Sequence, residues 1–205
     1  LFLASDGKLW VRSTAGFISY DGLKWTNHGA PYPRLRLQPY HSNIYEDSQG
    51  IMWLGSGGGA DVWSFSDGQL LGHHIGGWTW GLTETEQGHV IAAGPRGPYV
   101  YAENKWTSIP GYGTDSNAIN ANYNYIIFRD NDGSIWLGGN AGIWRYHNEK
   151  WVEYRDIESK PVLLPRGHLI RGPDGILRAT TKRGIYRLNS DQKWVVEWKG
   201  GYIYS

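Results

Sequence analysis

Asp130-Asn131-Asp132-Gly133-Ser134-Ile135-Trp136-Leu137-Gly138, followed by Gly142-Ile143-Trp144-Arg145-Tyr146 and then Lys150-Trp151, is the stretch that decides the fold. It holds an Asp-Gly pair, a Trp three residues after the glycine, and a second glycine nine residues after the first. Weaker copies are anchored at Gly7, Gly50, Gly88 and Gly175, so the anchors lie 43, 38, 45 and 42 residues apart. Repeats of about 40–45 residues made of short strands mark a β-propeller, with one four-stranded blade per repeat.

The copies align position by position. Three residues after the anchor stand Trp10, Trp53, Ile91, Trp136 and Arg178; nine after it stand Gly16, Gly97, Gly142 and Gly184. A Lys-Trp pair closes the unit at Trp25, Trp106, Trp151 and Trp194. The second repeat fits if two glycines are inserted within Gly57-Gly58-Gly59, which puts Asp61 where the other copies have glycine. Strand A is predicted to precede the Asp-Gly turn, and glycine there supplies the positive φ of a hairpin. Strand B is Ile135-Trp136-Leu137, strand C is Ile143 to Tyr146, and strand D is Lys150 to Tyr154. Large apolar groups on both faces of B and C ask for neighbouring blades on both sides. The fold class is therefore all-β, a propeller of about five four-stranded antiparallel blades, either a five-bladed ring or a segment of a larger one. Residues 1–205 form one such domain or segment. The tail Gly200 to Ser205 is expected either to close the first blade or to open a further repeat.

Asp130 to Gly138 with Gly142 to Tyr146, and the second copy Glu46-Asp47-Ser48-Gln49-Gly50-Ile51-Met52-Trp53-Leu54-Gly55, resemble the two-component regulator propeller repeat. The Asp-box of sialidase-like propellers is a rival, since Ala4-Ser5-Asp6-Gly7 has a related spacing; the Ile-Trp-Leu-Gly run favours the regulator repeat. That resemblance implies the extracytoplasmic (periplasmic) sensor region of hybrid two-component systems, which often recognise glycan breakdown products. It implies no fixed ligand residues, because the motif is structural.

Composition narrows the classes further. A net charge of +1 with 19% charged residues gives no nucleic-acid or polybasic membrane footprint. Cysteine is absent, which excludes disulfides and thiolate metal sites. No apolar run reaches membrane-spanning length. The 29 Gly, 12 Trp and 14 Tyr suit tight turns between well-packed strands. No cofactor or metal is called for; His73-His74 has no third ligand at zinc spacing.

In this fold the Asp-Gly turns share one rim, while the D-to-A and B-to-C connections share the other. Non-repeated residues on the second rim are the better candidates for ligand contact. The long D-to-A connections offer Tyr40, His41, Trp78, Trp80, Tyr123, Tyr125, Arg166 and His168; the B-to-C loops offer Ser56, Asp61, Arg96, Asn140 and Arg183, of which Asp61 and Arg96 are taken as site residues. Flat aromatic faces suit sugar rings, and Arg, Asn and His supply hydrogen bonds or meet a carboxylate. The aromatics equally suit packing of the blade tops. The expected partner is a small soluble ligand, an oligosaccharide in particular, with a homodimer or covalent continuation into a larger sensor as further partners. A propeller glycosidase or lyase and a protein-interaction scaffold are the alternatives; the former needs two carboxylates about 5–10 Å apart, and most acids here lie in turns.

Overall fold

The computed structural model describes residues 1–13, 16–29, 43–55, 61–75, 78–95, 97–109, 124–140, 142–164 and 167–200. Five four-stranded antiparallel sheets follow one another, each a meander with its strands side by side in chain order. The first comprises β1 (Phe2–Leu3), β2 (Leu9–Ser13), β3 (Gly16–Tyr20) and β4 (Trp25–Asn27), and the second β5 (Ile44–Glu46), β6 (Met52–Gly55), β7 (Asp61–Ser66) and β8 (Gln69–His74). The third comprises β9 (Gly81–Glu84), β10 (Val90–Gly94), β11 (Gly97–Ala102) and β12 (Lys105–Ser108). The fourth comprises β13 (Asn124–Arg129), β14 (Ile135–Gly139), β15 (Gly142–His147) and β16 (Lys150–Tyr154). The fifth comprises β17 (Leu169–Arg171), β18 (Leu177–Thr181), β19 (Gly184–Leu188) and β20 (Trp194–Lys199). The chain is thus an all-β protein of propeller blades. Two compact units emerge from its contacts: residues 1–92 with 99–107, and residues 93–98 with 108–205.

The anchor glycine makes each A-to-B turn. Its N–H donates to the carbonyl three residues earlier, as from Gly50 to Asp47 and from Gly133 to Asp130 at 3.0 Å. All five anchors have φ between +74° and +81°, a region that glycine enters without steric cost. In the two best copies the Asp three residues before the anchor also takes the indole N–H of the motif Trp. Trp53 Nε1 donates to Asp47 at 2.7 Å, and Trp136 Nε1 to Asp130 at 3.2 Å. Asp, Gly and Trp recur together because they form one hydrogen-bonded turn.

The glycine insertion in the second repeat is borne out by register. Leu54 pairs with Trp63 and Gly55 with Val62, just as Leu137 pairs with Trp144 and Gly138 with Ile143. Asp61 therefore opens β7 where Gly142 opens β15. The tail residues 201–205 lie outside the described residues.

Both faces of the B strand are buried along β6, β10 and β14, while β2 and β18 keep half-buried positions. In the first unit, Trp10, Phe17, Met52, Leu54 and Trp63 form a core shared by the first two blades. Trp53, Val62, Leu82, Val90 and Ala92 continue it into the third. In the second unit, Trp136, Ile143, Leu164, Leu177 and Trp194 join the fourth and fifth blades. Each such side chain contributes roughly 1.5–3 kcal/mol on burial.

A polar latch repeats between successive blades. The residue four before the anchor ends strand A and reaches to the turn of the preceding blade. Glu46 accepts from Ser5 N–H at 2.6 Å and Ser5 Oγ at 2.7 Å. Glu84, itself buried, accepts from Ser48 N–H at 2.9 Å and Ser48 Oγ at 2.5 Å. In the second unit the charges change: Arg171 donates through Nε to Asp130 at 2.6 Å and through its terminal nitrogen to the other carboxylate oxygen.

Candidate functional site

The turn side of the blades is chemically committed. Asp6, Asp132 and Asp174 each accept the backbone N–H two residues on and pair with Lys8, Arg145 and Arg178 respectively. A pocket of about 360 Å³ on this side of the second unit is lined by Asp130, Asp132, Arg145 and Arg171, all paired with one another or with their own turns. Burial works to raise the Asp130 carboxyl, but hydrogen bonds from Arg171 and Asn131 outweigh it and hold it below the usual range.

On the opposite side of the first unit, the connection from β8 to β9 ends in Trp78-Thr79-Trp80. Trp80 is buried and Trp78 is 43% exposed, their rings in edge contact at 6.0 Å. Thr79 between them is fully buried. Its carbonyl sits where a Cβ on Gly55 would come within 2.9 Å. The motif glycine of Trp53-Leu54-Gly55 therefore gives the connection room to lie down on β6, and Trp78 projects from a clamped backbone.

Below this rim a second repeated cluster fills the blade. Ser64 Oγ lies 2.8 Å from His73 Nε2, and His73 packs against Trp53, Tyr101 and Trp106. Ser19 Oγ and His28 Nε2 repeat the contact at 2.8 Å, with His28 stacked on Trp10 at 4.9 Å. Desolvation pushes both imidazoles below their ordinary pKa, and Lys8 adds to the effect at His28. These histidines sit 21 positions after their anchors once the insertion is counted, a spacing the sequence reading overlooked.

In the second unit the connection from β16 to β17 folds back on itself. Arg155 bridges to Pro161 and Asp156 to Trp194, and the Asp156 carboxylate accepts from Glu158 N–H at 2.9 Å and Lys160 N–H at 2.8 Å. Leu164 N–H donates to Gly139 carbonyl at 2.8 Å, and the Leu164 side chain covers Gly138, where a Cβ would meet it at 2.4 Å. Trp194 is fully buried, because this connection covers it, whereas its counterpart Trp25 is 56% exposed. Between the connection and the β18–β19 turn lies a pocket of about 320 Å³. Pro161, Val162 and Tyr186 supply apolar wall; Lys160, Lys182 and Arg183 supply positive charge against one carboxylate, Asp156.

Of the candidate residues read from sequence, Trp78 and Trp80 are brought together. His168 is exposed in the second unit, its backbone N–H bonded to Thr180 Oγ1 at 2.8 Å. Asp61 opens β7 in register with His74, and Tyr125 lies in β13. Tyr40, His41, Arg96, Tyr123 and Arg166 lie outside the described residues. Of the cations of the 320 Å³ pocket, Arg183 lies in a B-to-C loop that the sequence singles out, while Lys160 and Lys182 do not stand out in it. The signal of Arg183 is in the repeat: Ala15 and Ala141, and Ala60 once the insertion is counted, stand eight positions after their anchors, and Arg96 and Arg183 replace that small residue.

Repeated four-stranded meanders, with structural turns on one rim and variable connections on the other, define a propeller-type repeat protein. Residues 35–58 match the two component regulator propeller family, so the chain carries that family's repeat. No curated protein matches the sequence significantly. Among solved structures, virginiamycin B lyase from Staphylococcus aureus is similar with a TM-score of 0.69 at 14% identity, over 95% of this chain and 67% of that one. The extracellular domain of a Bacteroides thetaiotaomicron protein assigned as a hybrid two component system is similar with a TM-score of 0.66 at 15% identity. That match takes in 100% of this chain and 30% of the other, so the chain spans under a third of that domain's length. At such identities the likeness is one of fold.

Proposed function

We propose that this chain is a ligand-binding sensor module of the extracytoplasmic type, recognising a soluble oligosaccharide for two-component signalling as part of a longer receptor. The observation that carries this reading is Trp78, an indole held out from the variable rim on a buried Trp80 and a clamped Thr79. A rigid, exposed aromatic face is what the apolar face of a sugar ring stacks on. The regulator repeat at residues 35–58 and the fold likeness to an extracellular two-component domain support the sensor role. Glu84, a carboxylate outside the repeated turn position, is engaged by Ser48 and Tyr45 rather than held free for acid–base chemistry. The test is a thermal-shift and calorimetric screen against neutral oligosaccharides, repeated with Trp78→Ala. Saturable binding weakened about tenfold or more by Trp78→Ala is expected, from stacking of about 1.4 kcal/mol. Binding indifferent to that substitution would remove the aromatic rim as the site.

A further inference from the structure

The geometry points to a second binding site, in the pocket between the β16–β17 connection and the β18–β19 turn, for a small carboxylate-bearing ring of monosaccharide size, the uronic acid class. The site is distinct from Trp78, lies in the other unit and does not rest on the oligosaccharide reading.

Three observations carry it. First, the volume of about 320 Å³ is at the lower end of small-molecule pockets, enough for one sugar ring. Second, Arg183 lines the pocket, with no carboxylate partner among the described residues; its backbone N–H donates to Thr181 Oγ1 at 2.9 Å. The planar fork of an arginine suits a carboxylate bidentately. Third, three cations of the lining, Lys160, Lys182 and Arg183, outnumber its one carboxylate, Asp156, whose Oδ1 accepts two backbone N–H groups. Glu158 pairs with Lys160 on the surface, where both side chains are mostly exposed and the pair is weak in water. Arg183 is close enough to act on Lys160 as a like charge, alongside the opposite charges of Glu158 and Asp156.

The apolar wall separates a ring-borne carboxylate from a bare ion. Pro161, Val162 and Tyr186 offer a surface that inorganic phosphate cannot use and that the C–H face of a sugar acid can. Neutral sugars lack the group that Arg183 would hold.

Isothermal calorimetry on the chain with glucuronate, glucose and inorganic phosphate tests this. Glucuronate is expected to bind at least tenfold more tightly than either of the others. Arg183→Ala is expected to lose tenfold or more of that affinity, with Arg183→Lys intermediate. Lys150→Ala, which removes the same charge at the far end of β16, is expected to leave it within twofold. Far-ultraviolet circular dichroism checks that each variant is folded. Equal binding of glucose and glucuronate overturns the proposal, and so does phosphate binding as tightly as glucuronate. No glucuronate binding at all, or equal losses in Arg183→Ala and Lys150→Ala, overturns it as well. The neutral-oligosaccharide screen reads Trp78 and the glucuronate-over-glucose difference reads Arg183, so failure of one is distinguishable from failure of the other.

Discussion

Asp130 accepts the Trp136 indole, the Asn131 backbone N–H and two nitrogens of Arg171, all on a side chain that is 3% exposed. Removing it strands a buried indole N–H and a half-buried guanidinium together. Asp130→Ala is therefore expected to cost about 2–4 kcal/mol, read from urea unfolding. Asp130→Asn keeps an acceptor for Trp136 but loses the charge opposite Arg171, and is expected to fall between wild type and Ala. A single residue can also be improved. Asn148 and Glu149 make the two-residue β15–β16 turn with φ of +48° and +61°, a type I′ geometry that favours glycine at the second position. Glu149→Gly is expected to stabilise by about 0.5–1 kcal/mol, the relief of left-handed strain exceeding the added chain entropy; a lower urea midpoint would contradict this.

At the level of the strand and its connection, the glycine after Trp-Leu sets how closely the next connection can approach. A Cβ on Gly55 meets the backbone carbonyl of Thr79, which cannot rotate away, whereas on Gly138 it meets the end of the Leu164 side chain. Gly55→Ala is expected to cost about 1–3 kcal/mol and to loosen the Trp78 segment, with Gly138→Ala costing less because a leucine can shift; amide exchange at Thr79 and Trp80 reads the difference. These elements also show where sequence was legible. Strand order, the A-to-B turns and the register of the second blade followed from glycine at fixed offsets and apolar residues between them, since both belong to the period itself. The latches from Glu46 to Ser5 and from Arg171 to Asp130 join residues 41 positions apart and change chemistry from blade to blade, so no single copy announces them. Trp194 looked like its exposed counterpart Trp25 because its burial is imposed by residues 155–164, a connection the repeat does not specify. The Lys160–Arg183 pocket is half legible for the same reason: Arg183 stands at a fixed offset in the repeat, but Lys160 and Pro161 belong to a connection the repeat does not specify, and the two walls meet only after folding.

Across the molecule, the two compact units carry different titratable interiors. The first holds His28 and His73, each packed among aromatic rings, bonded to a serine and depressed in pKa mainly by desolvation. In the unfolded chain both take up protons near pH 6.5. Because the folded values are lower, their contribution to stability is full above that pH and is lost as pH falls toward the folded values. The second unit instead relies on Asp130 with Arg171 and on Asp174 and Glu197 with Arg178. Hydrogen bonds from Arg178 hold Asp174 and Glu197 below the usual carboxylate range, and these groups matter only as pH falls below about 4. Acidification from pH 7 is therefore expected to weaken amide protection along β2, β6 and β8 progressively once pH falls below about 6.5, while β14 and β18 keep theirs until about pH 4. Hydrogen exchange followed by mass spectrometry at stepped pH measures this, segment by segment. His73→Phe, which keeps the ring packing without the titration, should flatten the first step around the second blade; simultaneous loss of protection in both units would mean that the histidines do not set the acid limit of the first.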